Sequence, residues 1–377
     1  MNTIKKGICL LLALLLCVGL FAACGNGTTD APETTPDPDL SGDLIAGIDA
    51  RTVMLDVAGM PVYWEEVFFD LHNVRAALES GGPIADWDAI IEGQTLFPGE
   101  LTYNEFVLLH AVDAAVERRV VEQFFTVELG EELEENFYEE VRAFFLLHHG
   151  LDEAGFETFL EDHFLTENVF RYVNEVMTMH EMTLLALYGP GGATVSESAV
   201  NALVEEEGIL RAQHILLSIL DVNMQPIPAD EQAAVTARAL LLYQELMALS
   251  GDEQLERFLE MMFDYGEDPG MWGNPDGYTF LPGVMIDEFT AGTAALNYYE
   301  ISEPILGFFG YHIILRLPVQ REARAMMVGG AQSPPIQLLA ARAQLERIMD
   351  SRMEEVEYEW TPALLAVVPS EIFAHSS

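Results

Sequence analysis

Arg211-Ala212-Gln213-His214-Ile215-Leu216-Leu217 and Gly310-Tyr311-His312-Ile313-Ile314-Leu315 decide the fold of this chain. Each is a short, mostly apolar run that reads as a strand. Side chains alternate across a strand, so His214 shares a face with Ala212 and Leu216, and His312 shares one with Ile314. A single strand histidine is ordinarily a satisfied core residue. Two of them, each in a strand that bounds the same segment, call for a joint explanation.

The segment between them alternates in character. Leu210–Leu220 is strand-like, Asp230–Leu249 and Asp252–Phe263 have helical periodicity, and Tyr265–Pro282 is rich in Gly, Pro and Asp with a short strand at Tyr278–Leu281. Met285–Leu296 reads as a short helix, and Ile305–Leu317 as two strands around Gly307 and Gly310. The order β-α-α-β-α-β-β predicts an α+β domain with helices around a small antiparallel sheet.

Outside this segment the chain is mostly helical. Thr52–Val62 is a short strand and turn, and Tyr63–Glu79 carries the stripe Trp64, Val67, Phe68, Leu71, Val74 and Leu78. Thr102 and Glu105 form a capping box that opens a helix toward Phe125. Helices are expected at Glu131–His148, Glu153–His163, Thr166–Leu187 and Ser196–Glu206. The Glu131–Glu140 cluster reads as a solvated helix face. Pro334–Glu355 is a further helix whose stripe of Leu338, Ala341, Leu345, Ile348 and Met349 needs the residues before 206 as a partner.

The 377 residues hold 17 Lys+Arg against 62 Asp+Glu. Half of the chain is apolar, which excludes global disorder. Such an acid excess repels phosphate backbones, so nucleic acid is excluded as a partner. Met1–Lys6 is basic, Gly7–Ala23 is small and apolar, and Cys9, Cys17 and Cys24 are the only cysteines. Residues 1–23 therefore read as a secretory signal. After Cys24, 15 Arg and no Lys stand against all 62 acids, an excess of 47 negative charges. Residues 24–49 read as a solvated tether.

Phe21-Ala22-Ala23-Cys24 resembles a bacterial lipobox, which implies acylation of Cys24, palmitate included, and a lipid anchor on the extracytoplasmic face of the cell membrane. The two histidine strands resemble the opening R-A-x-H-I-L and closing G-Y-H-I-I strands of the parvulin family of peptidyl-prolyl cis-trans isomerases. Tyr265-Gly266-Glu267-Asp268-Pro269-Gly270 is similar to its Y-S-x-D-x-G element, and Gly283–Phe289 to its G-x-M-x-x-x-F element. Glu300–Ile305 resembles its E-I-S-x-P-V segment, with Tyr299 in place of a glycine. Asn274-Pro275-Asp276-Gly277-Tyr278 stands where the family has a Gly-Gly-Asp-Leu-Gly turn, and only Asp276 agrees.

The resemblance implies a peptidyl-prolyl isomerase in which His214, Asp268 and His312 form the catalytic polar network. Phe280, Met285 and Phe289 would grip the proline ring, with Met285 and Phe289 on one helix face. No cofactor and no metal is expected, and His148, His149, His163 and His180 read as solvated or half-buried. The flanks resemble PrsA-type foldase lipoproteins of SurA-like organisation, with Val53–Glu66 similar to their V-N-G-x-x-I-x-x-x-E opening and Ala58 at its Asn. This implies a helical chaperone domain at 50–206, an isomerase domain at 207–319 and a C-terminal helical segment at 320–377 packed on the first. Partners would be unfolded or partly folded secreted proteins with X–Pro bonds. A non-catalytic holdase whose parvulin module is inactive stays open, because of the altered turn. A solute-binding lipoprotein would need two α/β lobes, which the helical stretch to 206 does not offer.

Overall fold

A computed structural model describes residues 44–375. The signal segment, Cys24 and most of the tether lie outside the described residues. The described residues divide into two compact units, one of residues 44–183 with 348–375 and the other of residues 184–347. Among the described residues no helix is long and apolar enough to cross a membrane.

The first unit is built from both chain ends. Its first strands are β1 (Leu44–Ile45) and β2 (Ile48–Asp49), which pair with each other. Strands β3 (Val53–Val57) and β4 (Met60–Tyr63) form an antiparallel hairpin. Helix Trp64–Glu79 follows directly, and its first nine residues are all buried. Among them Asp70 and Glu66 need counter-charges, which Arg118 and Arg119 of helix Tyr103–Gln123 supply. That helix opens on the reciprocal Thr102–Glu105 capping box and runs into a π-helical turn at Phe124–Glu128. The Glu131–Glu135 run is exposed coil rather than helix, and the helix begins only at Phe137. Clustered acids with no basic neighbour on the next turn disfavour helix.

The second unit carries a six-stranded sheet. Its strands are β5 (Leu210–Ser218), β6 (Tyr278–Phe280), β7 (Ile305–Leu306), β8 (Gly310–Arg316), β9 (Arg324–Met326) and β10 (Gln332–Pro335), in the order β10-β9-β6-β5-β8-β7. The pairings are antiparallel except for one parallel contact, Phe280 with Met326. β9 and β10 thus extend the sheet past residue 319, where the sequence reading placed only the helical C-terminal segment.

The two faces of β5 and β8 have separate cores. Ile215, Leu217, Ile313 and Leu315 pack against Leu242, Leu246, Phe258 and Met261 of helices Ala229–Met247 and Gly251–Tyr265. Leu210, Ala212 and Ile314 pack on the other face with Phe280 and Phe289. Each fully buried Ile, Leu, Phe or Met side chain among these contributes about 1.5–3 kcal/mol. The β7–β8 hairpin lies close to β5. Gly310 has φ +149°, and a β-carbon there would overlap the Leu217 carbonyl oxygen.

Candidate active site

The β5–β8 register opposes His214 to Ile314 and His312 to Leu216, so the two histidines are diagonal neighbours on one face. Their rings lie nearly parallel, 5.1 Å apart. His214 Nδ1 is 2.9 Å from His312 Nδ1, and His214 Nε2 is 2.7 Å from Asp268 Oδ2. The structure therefore brings together the three polar residues read from the sequence.

Local geometry holds Asp268 in place. The Glu267 N–H donates to the Leu216 carbonyl oxygen at 2.8 Å, and the Ser218 N–H donates to Glu267 Oε2 at 2.8 Å. These bonds fix the segment along β5. Asp268 caps the short helix Pro269–Gly273 by accepting from the Gly270 N–H at 2.9 Å. Its Oδ2 also accepts from the Tyr278 hydroxyl at 2.9 Å. A β-carbon at Gly270 would overlap that hydroxyl. Tyr278 is a site residue that the sequence reading missed, because an aromatic residue at the start of a strand reads equally well as core.

The altered turn before Phe280 still delivers Tyr278. Gln213 donates to the Pro275 carbonyl and Arg211 to the Asp276 carbonyl, tying the turn to β5. Gly277 has φ +97°, and a β-carbon there would lie 2.8 Å from the Ala212 carbonyl oxygen.

Burial raises the Asp268 carboxyl, but hydrogen bonds from His214, the Gly270 N–H and Tyr278 more than offset it and hold it below its ordinary value. Burial and then the Asp268 charge raise the Tyr278 phenol, which stays a donor. Burial, with His214 adding to it, lowers His312 to about 4. The hydrogen-bond pattern assigns the tautomers when both rings are neutral. His214 Nε2–H donates to Asp268, His214 Nδ1 accepts from His312 Nδ1–H, and His312 Nε2 keeps a lone pair. His312 Nε2 is buried and has no hydrogen-bond partner. It lies on the side of Gly307, whose β-carbon would stand 3.4 Å from it.

An apolar wall flanks the network. Phe289 meets both histidine rings edge-on, at 5.0 Å and 5.6 Å, and Phe280 at 5.7 Å. Phe280 is fully buried, and half-buried Met285 packs in the same cluster. Met285 does not share a helix with Phe289, because the helix starts at Asp287 with Ile286 as its extended cap. It reaches the cluster from the preceding loop. His148, His149 and His163 are exposed and His180 is half-buried. Among the described residues no group of three or more His, Cys, Asp or Glu side chains is placed to hold a metal ion.

No family model matches the chain. Over 106 residues it is 31% identical to the foldase protein PrsA of Geobacillus kaustophilus, a match covering 28% of this chain and 30% of that relative. The chain thus spans less than a third of the length of the curated relative it matches. Solved structures similar to it include the peptidylprolyl isomerase PrsA of Bacillus cereus (16% identity, 77% of this chain and 90% of that one, TM-score 0.27). They also include the foldase PrsA of Lactococcus lactis (10% identity, 85% and 99%, TM-score 0.28). The sequence motifs and the curated relative agree that this chain is similar to the PrsA-type foldases.

Proposed function

We propose that the second unit is a peptidyl-prolyl cis-trans isomerase, in a foldase that assists secreted proteins outside the cytoplasmic membrane from a lipid anchor on Cys24. The observation that carries this reading is the hydrogen-bonded chain Asp268–His214–His312, which ends on an unpartnered His312 nitrogen, with Phe289 of the Phe280 and Met285 cluster set against both histidine rings. Rotation about X–Pro faces a barrier of about 18–20 kcal/mol because the amide loses resonance. No bond needs to break. Catalysis requires that the twisted imide be bound better than the planar one. An apolar wall supplies the grip on the ring, and fixed, desolvated polar groups favour the rotated geometry without reorganising. The similarity to a PrsA foldase supports the same class, and the mostly helical first unit supports a role in holding unfolded chains.

A protease-coupled prolyl isomerisation assay on the full chain tests the reading, with accelerated exchange as the expected result. Loss of isomerisation alongside intact suppression of client aggregation would establish a non-catalytic holdase instead. The same assay should show no preference for phosphorylated Ser-Pro. The loop Ser218–Asp230 contains Asp221 and Asp230 and no Arg or Lys. Asp221 is held ionised by the Gln225 and Asn223 N–H groups. A phosphate, with a charge of about −1.5 to −2, is repelled there. Faster turnover of the phosphorylated peptide would refute this selectivity.

A further inference from the structure

Most arginines of this acid-rich chain have a carboxylate within 4.0 Å. Among the described residues Arg238 and Arg316 have none, and each lies over a tyrosine ring, Tyr265 and Tyr298. Arg211 and Arg324 also have none among the described residues, and they line one cavity of about 240 Å³ beside β6, β9 and β10. Arg211 is 8% exposed. It donates to the Pro318 carbonyl at 3.0 Å and to the Asp276 carbonyl. Arg324 donates to the Ser333 carbonyl at 3.2 Å and is exposed. Asn274, Gln320 and Gln332 add amide groups to the lining. Asp276 is the one acid among the lining residues, and it is exposed to solvent. Residue 211 alternates with Ala212 and His214 along β5, so its side chain leaves the sheet on the face opposite the histidines.

A buried guanidinium that donates to neutral carbonyls, with the Asp276 carboxylate acting on it only from beyond ion-pair distance, is incompletely compensated, and its remaining donors favour a planar anion. We propose that this cavity is a carboxylate-binding site, taking either a free small acid or the C-terminal carboxylate of a peptide chain. Phosphate dianions fit it less well, since the lining brings two positive charges against the charge of Asp276. Tyr278, which belongs to the Asp268 network, also lines this cavity, but neither arginine is part of that network, so the test of the carboxylate site does not depend on the isomerase reading.

Titration calorimetry of the full chain at pH 7 tests it with three probes: sodium acetate, N-acetyl-trialanine with a free C-terminus, and the same peptide as its C-terminal amide. The free-acid peptide is expected to bind saturably and the amide is not. Acetate binding as well would mark a free-acid site, and acetate silence a chain-terminus site. Arg324→Gln, an exposed change compatible with folding, should weaken binding at least about tenfold, as loss of a charge-assisted hydrogen bond does. It should leave prolyl isomerisation unchanged. No saturable binding, equal binding of the amide, or unaltered affinity in Arg324→Gln would overturn the proposal. Arg211→Gln is a second variant, read for binding if it folds.

Discussion

Phe289→Ala should lower both the stability of the second unit and kcat/KM. Phe289 is 3% exposed and touches Phe280 and both histidine rings. Removing a buried phenyl ring costs about 3–5 kcal/mol. That is a large share of the roughly 5–15 kcal/mol that holds a domain folded. The same ring lines the proposed proline slot, so kcat/KM should fall at least about tenfold, equivalent to about 1.4 kcal/mol of transition-state binding. Phe289→Leu separates the two effects, because it preserves apolar volume while removing the flat wall. It should keep most of the stability and still lose activity. Met285→Ala should cost less, about 1–2 kcal/mol, since Met285 is half-buried and reaches the cluster from a loop. Wild-type kinetics in Phe289→Ala at a temperature where it is folded would remove Phe289 from the site.

Acid should destabilise both units in the same pH window. His312 in the second unit and His72 in the first are each lowered to about 4, by burial and then by His214 and Arg75 respectively. His72 is stacked 3.6 Å from the Phe164 ring. An unfolded histidine titrates near 6.5. Below that pH the unfolded chain takes up the proton and the folded chain resists it. Stability is therefore complete above about 6.5 and falls until the folded group titrates near 4. The shift corresponds to about 3 kcal/mol per histidine at the bottom of the window. Asp268 adds its own loss only at lower pH, because its carboxyl lies below the ordinary value. Urea unfolding at pH 7, 5.5 and 4 should show this decline, and His312→Gln should flatten it for the second unit. Equal midpoints at pH 7 and 4 would contradict the buried-neutral assignment.

The sequence showed some of this structure and hid the rest, for definite reasons. Period-two alternation placed His214 and His312 on definite strand faces, but the diagonal that joins them depends on a register that no local pattern contains. Asp268 emerged only through resemblance, since Asp before Pro-Gly is also an ordinary turn. Met285 and Phe289 are spaced like a helix pair. The extended Ile286, followed by Asp287 and Glu288 in the first turn, instead starts the helix after Met285. Strands β9 and β10 escaped because Arg-Ala-Met is too short to alternate and Ser333-Pro334-Pro335 reads as a strand breaker. Both prolines sit in the outermost strand of the sheet, where a missing N–H is tolerated.

The first unit also has a consequence for the order in which the chain folds. Strand β3 pairs with its neighbour β4 and, on its other edge, with β11 (Tyr358–Trp360). Thr361 anchors this closure by donating to the Val53 carbonyl, 308 residues away along the chain. Residues 184–347 are contiguous and include every strand of the six-stranded sheet. In a chain emerging from its N-terminus, that sheet is complete while β3 still shows a bare edge. Pairings so distant form slowly, and bare edges recruit other chains. The acid-rich composition opposes such association through charge repulsion. A chain truncated before Tyr358 should show amide-exchange protection across β5 and β8 and none along the outer edge of β3. Full protection of that edge in the truncated chain would mean that the hairpin completes without its distant partner.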